Sequence, residues 1–562
     1  MGVGGYNMTP LTKILSNLSQ GSMDSVQSGQ SFGELDRYLH IQRSYIENAL
    51  CSRMDDIIEQ GGGIILLVGS AGDGKSHLIS SIRNIGKYKD AFRFYNDATE
   101  SYSPSRTAID TLREVLADFS DASIDSTTSK LVLAINVGKL NAFIEDTSVK
   151  FQYSKLVEFT QPLFSEDTNK IHETKRMRIV QFMNLQIFEF NKDNSGTYPV
   201  DSYFFKEFLL RITRPDINNP FYKAYKESIP LDDSRTDPVV LNYQLLCLKP
   251  VQTTIINSII EAIIRFRLMV TPRDFQDFIY SILVYEDLDN YTDDKHLLEA
   301  LLPSMLYNGK RSKIQRSLTL LDPLKYSSTE HDEQLSSLFT SPEIPPKYLD
   351  EELISSTSPL LVGKIRAMCN NNRKNIMRTT QFLFRLRHLL SYHSESEEYV
   401  SFLSSIRGFF NKNGQDVQRV YQMVSTVIPR HYGSYYSPEK TVPLNIQGSH
   451  HRLFADINLV PDSYSSIYES SNEFSLTMIL RWKVFSEVVP LRIDYQLYEY
   501  LSCLNNGRLS LNFESTKNMA FSHFVRRLVS LSNSSDEVII MTSENRKYIL
   551  SKQFGVISYR EC

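Results

Sequence analysis

The spacing of apolar residues divides the chain into stretches of different period. Leu11, Ile14, Leu15 and Leu18 recur at helical intervals, and a Gly/Ser/Gln-rich link follows to about Phe32. A firmer helix is expected over Ser44–Glu59, where Ile46, Leu50, Met54, Ile57 and Ile58 form one stripe. Ser44 and Glu47 match a capping box at its start, and Gly61, Gly62 and Gly63 end it. The pattern then changes to short, wholly apolar runs. Ile64–Val68 reads as a buried strand, and Leu78, Ile82 and Ile85 mark a helix stopped at Gly86. "AFRFYND" (Ala91–Asp97) predicts a second strand. Ser103 and Pro104 supply the cap and first turn of a helix bearing Ile109, Leu112, Val115, Leu116 and Phe119. "LVLAIN" (Leu131–Asn136) predicts a third strand, and "RIVQFMNLQIFEF" (Arg178–Phe190) one more strand or a pair. Such alternation predicts a parallel sheet covered on both faces by helices.

Beyond this the character changes twice. From about 241 to 400 helical spacing dominates, as in "TIINSIIEAIIRFRL" and in "TPRDFQDFIYSIL", which begins with a Thr271 cap and Pro272. After about 401 the pattern is mixed. Helices are expected at Asp494–Leu504 and Ala520–Leu531, and "VIIMTSENRKYILSKQFGVISY" reads as short strands joined by turns. Four segments result: an N-terminal helical segment (1–60), an α/β core (61–240), a helical lid or middle domain (241–400) and a C-terminal α+β domain (401–562).

Length and composition add limits. At 562 residues the chain exceeds one hydrophobic core, and 41% apolar with 22% charged residues is ordinary for a globular protein. A formal charge of −4 gives no global nucleic-acid signal, so any DNA contact must come from a local patch. The five cysteines are scattered without metal-ligand or C-x-x-C spacing, which fits a reducing compartment. The first residues lack a basic region and a long apolar core, and Tyr6 stands where a myristoylation motif wants Ser or Thr. No apolar run approaches the ~20 residues of a membrane helix. A cytoplasmic protein without membrane contact is the expectation.

The chemistry concentrates after the first strand. Gly69-x-x-x-x-Gly74-Lys75-Ser76 satisfies the phosphate-loop pattern, between a strand and a helix. In such a loop, backbone N–H groups and the helix N-terminus wrap phosphate, so Gly69, Ser70, Ala71, Gly72, Asp73, Gly74, Lys75, Ser76 and His77 are the expected nucleotide ligands. Lys75 would reach the β- and γ-phosphates of ATP, and Ser76 would offer its hydroxyl to Mg²⁺. Asp73 places a negative charge near phosphate, so its side chain is expected to turn away. Hydrolysis also needs carboxylates to hold Mg²⁺ and to orient water. No apolar strand ending in an acidic pair stands out. Asp97 and Glu100 in "FRFYNDATE" are the best acids, and Asn136 at the end of "LVLAIN" suits a γ-phosphate-sensing position. For each, the bland alternative is a turn residue capping the next helix. Arg273, just inside a helix start, is a candidate to reach the γ-phosphate, against an ordinary exposed first-turn arginine.

Lys364, Arg366, Arg373, Lys374, Arg378, Arg385 and Arg387 form a basic stretch with no acid among them. Lys374 and Arg378 share a helical face, and the stretch fits contact with DNA phosphates or, more plainly, a solvated helix face or a contact with an acidic partner. "RHYGSYY" (Arg430–Tyr436) mixes base and aromatics, with a tyrosine-rich turn as its simpler reading, and His450 with His451 reads as structural. No HEXXH, zinc set or nuclease constellation is visible.

Taken in order, "RYLHIQRSYIENAL", "VGSAGDGKSHL", "NDATES", "LVLAINVGKL" and "TPRDFQDFIYSIL" resemble the DptF family, the ATPase components of bacterial DNA phosphorothioation-dependent restriction systems. The resemblance covers most of the length, and the C-terminal third matches only in general pattern. It implies a P-loop ATPase acting with DptG and DptH partners against DNA that lacks the sulfur modification, with Gly69 to Ser76 as nucleotide ligands. The acidic pair does not carry over. The reading is therefore an α/β protein: a P-loop NTPase (AAA-like) parallel-sheet core with a helical lid region and a C-terminal α+β module, a homo-oligomer being compatible with it. A nucleotide-dependent switch with little turnover and a replication or transposition loader remain alternatives.

Overall fold

Strand β1 (Gly63–Gly69) is buried at every position because both of its faces are covered. In the computed structural model it lies inside a four-stranded sheet with β2 (Arg93–Tyr95), β3 (Lys130–Asn136) and β4 (Met177–Gln181), in the order β2-β3-β1-β4. All three pairings are parallel; β1 runs with β3 from Gly63↔Lys130 to Gly69↔Asn136 and with β4 from Ile64↔Met177 to Val68↔Gln181. Alternation along the strands feeds two cores. Ile64, Leu66 and Val68 join Leu131, Leu133 and Ile135 against Leu112, Leu140, Phe143 and Leu156. Ile65 and Leu67 join Val132 and Ala134 against Ile46, Leu50, Met54, Leu78 and Ile82. The mixed α/β class with an all-parallel sheet is thus observed, and wholly apolar strands are what two covered faces require.

The structure describes residues 9–19, 34–83, 85–96, 108–164, 173–182, 187–190, 199–229, 237–285, 294–326, 329–340, 354–355, 359–371, 376–391, 396–431, 441–444, 451–457, 459–462, 476–508, 518–532, 537–542, 546–553 and 556–561. By compactness they fall into two units: Met1–Ile187, Ser202–Ile259 and Leu268–Tyr392 form one, and Phe188–Asp201, Ile260–Arg267 and His393–Cys562 the other. The helix Ser44–Glu59 belongs with the sheet because its stripe closes one of the two sheet cores. Most of the helical region shares that unit, whereas Ile260–Arg267 and the residues from His393 onward belong to the second.

Three local readings change. Ser44 is the first helical residue and Arg43 the N-cap, without a side-chain cap; only Glu47 behaves as expected, its Oε1 accepting from Arg43 N at 3.1 Å. Gly86 starts a short helix (Gly86–Lys89) instead of stopping one, and Ile85 is exposed beyond the helix Lys75–Arg83. "RIVQFMNLQIFEF" gives a pair whose second member, β5 (Glu189–Phe190), pairs with β6 (Val200–Asp201) and belongs to the second unit. The capping of "TPRDF" is as expected: Thr271 and Asp274 form a complete capping box on the helix Pro272–Leu283.

The second unit holds β7 (Thr441–Pro443), β8 (His451–Asp456), β9 (Val460–Pro461), β10 (Met478–Val484), β11 (Glu487–Ile493), β12 (Glu537–Thr542), β13 (Lys547–Gln553) and β14 (Val556–Glu561). They form a sheet ordered β14-β13-β12-β8-β7 and another ordered β11-β10-β9. Helices Tyr495–Asn505 and Met519–Ser532 stand where periodicity put them. The chain's single tryptophan, Trp482 on β10, is fully buried against Tyr421 and Phe524. Among the described residues no helix is long and apolar enough to cross a membrane.

Candidate functional site

The loop between β1 and the helix Lys75–Arg83 is shaped by glycines that no other residue could replace without strain. Gly72 and Gly74 both have φ of +86°, the left-handed region that L side chains avoid. Space is also closed. A Cβ at Gly72 would lie 2.8 Å from Thr271 Oγ1, one at Gly74 2.6 Å from Arg43 Nη2, and one at Gly69 2.6 Å from Asp73 Oδ2 and 2.7 Å from Phe182 Cβ. Turns of this kind line up backbone N–H groups as an anion-binding concavity. Lys75 opens the helix, and its Nζ donates to Ser70 O across the loop at 2.6 Å. Ser76 is exposed at the next position, and its hydroxyl makes no hydrogen bond to a described residue.

Four elements of the first unit meet this loop. The start of the helix Pro272–Leu283 brings Thr271 and Arg273 against Gly72, with Arg273 Cβ 3.4 Å from the point a Cβ there would occupy. Strand β4 delivers Phe182, whose N–H donates to Val68 O at 2.8 Å. The N-cap of the helix Ser44–Glu59 places the Arg43 guanidinium 5.3 Å over the Phe182 ring. The segment after the helix Glu34–Leu39 puts His40 flat on His77, ring centroids 4.4 Å apart. Arg43 and His40 were missed because they precede the loop by some thirty residues; only the resemblance, through "RYLHIQRSYIENAL", touched them.

The electrostatics are a contest between burial and local charge. The Asp73 carboxylate does not simply turn outward; it folds back on the loop, and Oδ2 accepts from Ser70 N at 2.5 Å. Burial raises its pKa, and the Ser70 N–H, Lys75 and Arg43 oppose that rise. Burial pushes His77 down to about 3, aided by the charges of His40 and Arg43, and His40 is lowered as well, with Glu47 opposing. Both rings are therefore neutral at physiological pH. The result is a glycine-bent loop flanked by Lys75, Arg43 and Arg273. Its donor set fits a polyphosphate, and the exposed Ser76 hydroxyl fits a hard divalent cation beside it.

The sheet order decides which strand end is nearest. Asn136 pairs in register with Gly69, the first loop residue. Its Oδ1 accepts from Gly138 N at 2.8 Å and caps the helix Val137–Glu145, so the capping role is present. Asp97 and Glu100 lie outside the described residues, as do Arg373, Lys374 and most of "RHYGSYY" with His450. Strand β2, which precedes those acids, is separated from β1 by β3. The basic stretch is less free than its sequence suggests. Arg378 pairs with Glu299 at 2.7 Å, and Arg385 pairs with Asp322 at 2.5 Å and lies over Tyr307. Lys364 is half-buried and Arg366 exposed on the helix Pro359–Asn371, and Arg387 is on the helix Ile376–Leu390. The acids that neutralise two of these charges come from other elements. Arg430 donates to Leu504 O and Asn505 O, both at 2.6 Å, and so ties down the end of a helix.

Compared with models of protein families, with curated proteins and with solved structures, the chain matches none of them.

Proposed function

We propose that this chain is a P-loop, AAA-like ATPase that binds ATP with Mg²⁺ at Gly69–His77 and serves a DNA restriction assembly. The observation that carries the reading is the loop itself, with left-handed Gly72 and Gly74 ahead of Lys75 and the Thr271–Arg273 helix start against Gly72. Backbone N–H groups of the loop and the Lys75 ammonium hold the phosphates, and Arg273 lends positive charge from the helical region. Mg²⁺, held through the Ser76 hydroxyl, neutralises charge on the phosphate oxygens. Asn136 senses the terminal phosphate, and Asp97 or Glu100 orients water. The resemblance to the DptF family supplies the biological setting: DptG- and DptH-like partners, a cytoplasmic complex, DNA lacking phosphorothioate as the target, and DNA contact through the Lys364–Arg387 stretch.

A second reading has one observation in its favour. The strand end paired with the loop carries an amide, Asn136, rather than a carboxylate. That suits a nucleotide-dependent switch with little turnover. Steady-state ATP hydrolysis by the purified chain, alone and with DNA, separates the two, with Lys75→Ala as the blank. Turnover raised by DNA and abolished in Lys75→Ala is the expected result. Tight ATP binding without turnover under either condition rejects the ATPase in favour of the switch, and absence of ATP binding rejects both.

A further inference from the structure

The helices Glu34–Leu39 and Tyr203–Thr213 wall an open cleft of about 320 Å³ lined by Arg37, Tyr38, Glu207, Arg211 and Arg214. The two walls are fastened together. Tyr38 Oη donates to Arg211 O at 2.8 Å, and the Arg211 guanidinium donates back to Tyr38 O. Arg211 also faces Glu207 at 3.6 Å. Arg37 and Arg214 are exposed and have neither ion pair nor side-chain hydrogen bond among the described residues. Three guanidinium groups against one carboxylate leave the lining at +2. Asp216, whose charge also reaches Tyr38, accepts from Asn218 N at 2.9 Å.

Gathering like charges in one concavity costs free energy that an anion offsets. The lining contains no aliphatic residue, and its one aromatic is tied by its hydroxyl, so the cleft suits a charged group rather than an apolar ligand. Planar guanidinium forks match phosphate oxygens two at a time.

We propose that this cleft is a second phosphate-binding site, distinct from the Gly69–Ser76 loop, whose ligand is a phosphate group carried by a nucleic-acid backbone or by a free phosphorylated molecule. Full-length Lys75→Ala protein, in which the loop is silenced, is the starting point, so failure of the ATPase reading leaves the test intact. Arg37→Gln with Arg214→Gln is added to it. Binding of a fluorescein-labelled DNA duplex is followed by anisotropy across a salt series, and binding of pyrophosphate by calorimetry. Because both arginines are exposed and have no side-chain partner among the described residues, the melting temperature should hold, and Arg37→Lys with Arg214→Lys should restore part of the affinity.

The expected result is a loss of roughly tenfold or more for one or both probes. A loss for the duplex, with the log–log salt slope reduced by about 2, identifies backbone phosphate. A loss for pyrophosphate alone identifies a free phosphorylated ligand. If the parent binds neither probe, or the double substitution changes neither, the proposal is overturned.

Discussion

Arg43 and Asp73 bring opposite charges to the candidate site, beside Lys75 and Arg273, and each can be tested by removing one charge. The Arg43 guanidinium lies over Phe182, beside Gly74, with no side-chain hydrogen bond to a described residue. Arg43→Gln should therefore weaken ATP binding about tenfold, or about 1.4 kcal/mol, while costing under about 1 kcal/mol in stability for the lost cation–π contact. Calorimetric titration and thermal melting read the two effects. Asp73 acts in the opposite direction. Its carboxyl is raised by burial, so the folded state penalises the ionised form above that raised pKa, and the penalty vanishes below the unfolded value. Asp73→Asn keeps an acceptor for Ser70 N–H without the charge. It should tighten ATP binding severalfold and raise the melting temperature at pH 7; a looser complex would show that the carboxylate is needed to hold the loop. Asn136 has two assignable roles. Asn136→Ala should lose about 1 kcal/mol of stability with its cap and also lower turnover, whereas Asn136→Ser restores the cap. Turnover that returns with Ser would mean that Asn136 is a cap and nothing more.

At the scale of elements, the chain brings the helix start at Thr271 onto a loop some two hundred residues earlier. Periodicity found both elements, and the contact between them could not be read from either. The basic stretch shows the same limit from the other side. Counting acids within Lys364–Arg387 gave an open patch, yet Glu299 and Asp322 reach two of its arginines from separate elements. Asp322 and Arg385 are both largely buried, so Arg385→Ala strands a buried carboxylate and should destabilise the first unit by about 3 kcal/mol in urea titration. A loss below about 1 kcal/mol would return Arg385 to the set of available DNA-contacting charges. The misplaced capping box at Ser44 has a simpler cause. Helix starts drift by a residue where the cap side chain makes no bond, and here Arg43 is held by Glu47 and by its stack on Phe182 instead.

For the whole molecule, buried neutral histidines predict the response to acid. His77 is pushed down to about 3 and His431 to about 4, in both cases mainly by burial. Unfolding exposes imidazoles that titrate near 6.5, so the unfolded state binds more protons below that pH. Stability is complete above about pH 6.5 and falls toward pH 4, by up to about 1.4 kcal/mol per pH unit for each such histidine. The two residues lie in different units. Urea midpoints at pH 7 and pH 5 should therefore shift in both, and Trp482 fluorescence isolates the second. His431→Gln should flatten the pH dependence seen by Trp482, and an unchanged slope would assign the acid response elsewhere.

What the sequence determined by itself was local: the apolar strands, the helix stripes, the Thr271 cap, and a loop whose glycine spacing dictates backbone shape over eight residues. Such features rest on interactions a few residues apart, so they are legible in one dimension. The tertiary structure alone decided that β3 intervenes between β1 and β2, which sets Asn136 beside Gly69 and leaves the strand before Asp97 one position away. It alone gathered Arg43, Phe182, Thr271 and Arg273 around the loop, and closed a cleft with Arg37, Arg211 and Arg214. Sheet order and side-chain convergence depend on how distant apolar faces bury one another. That burial is non-directional and summed over the whole core, so no short stretch of sequence carries it.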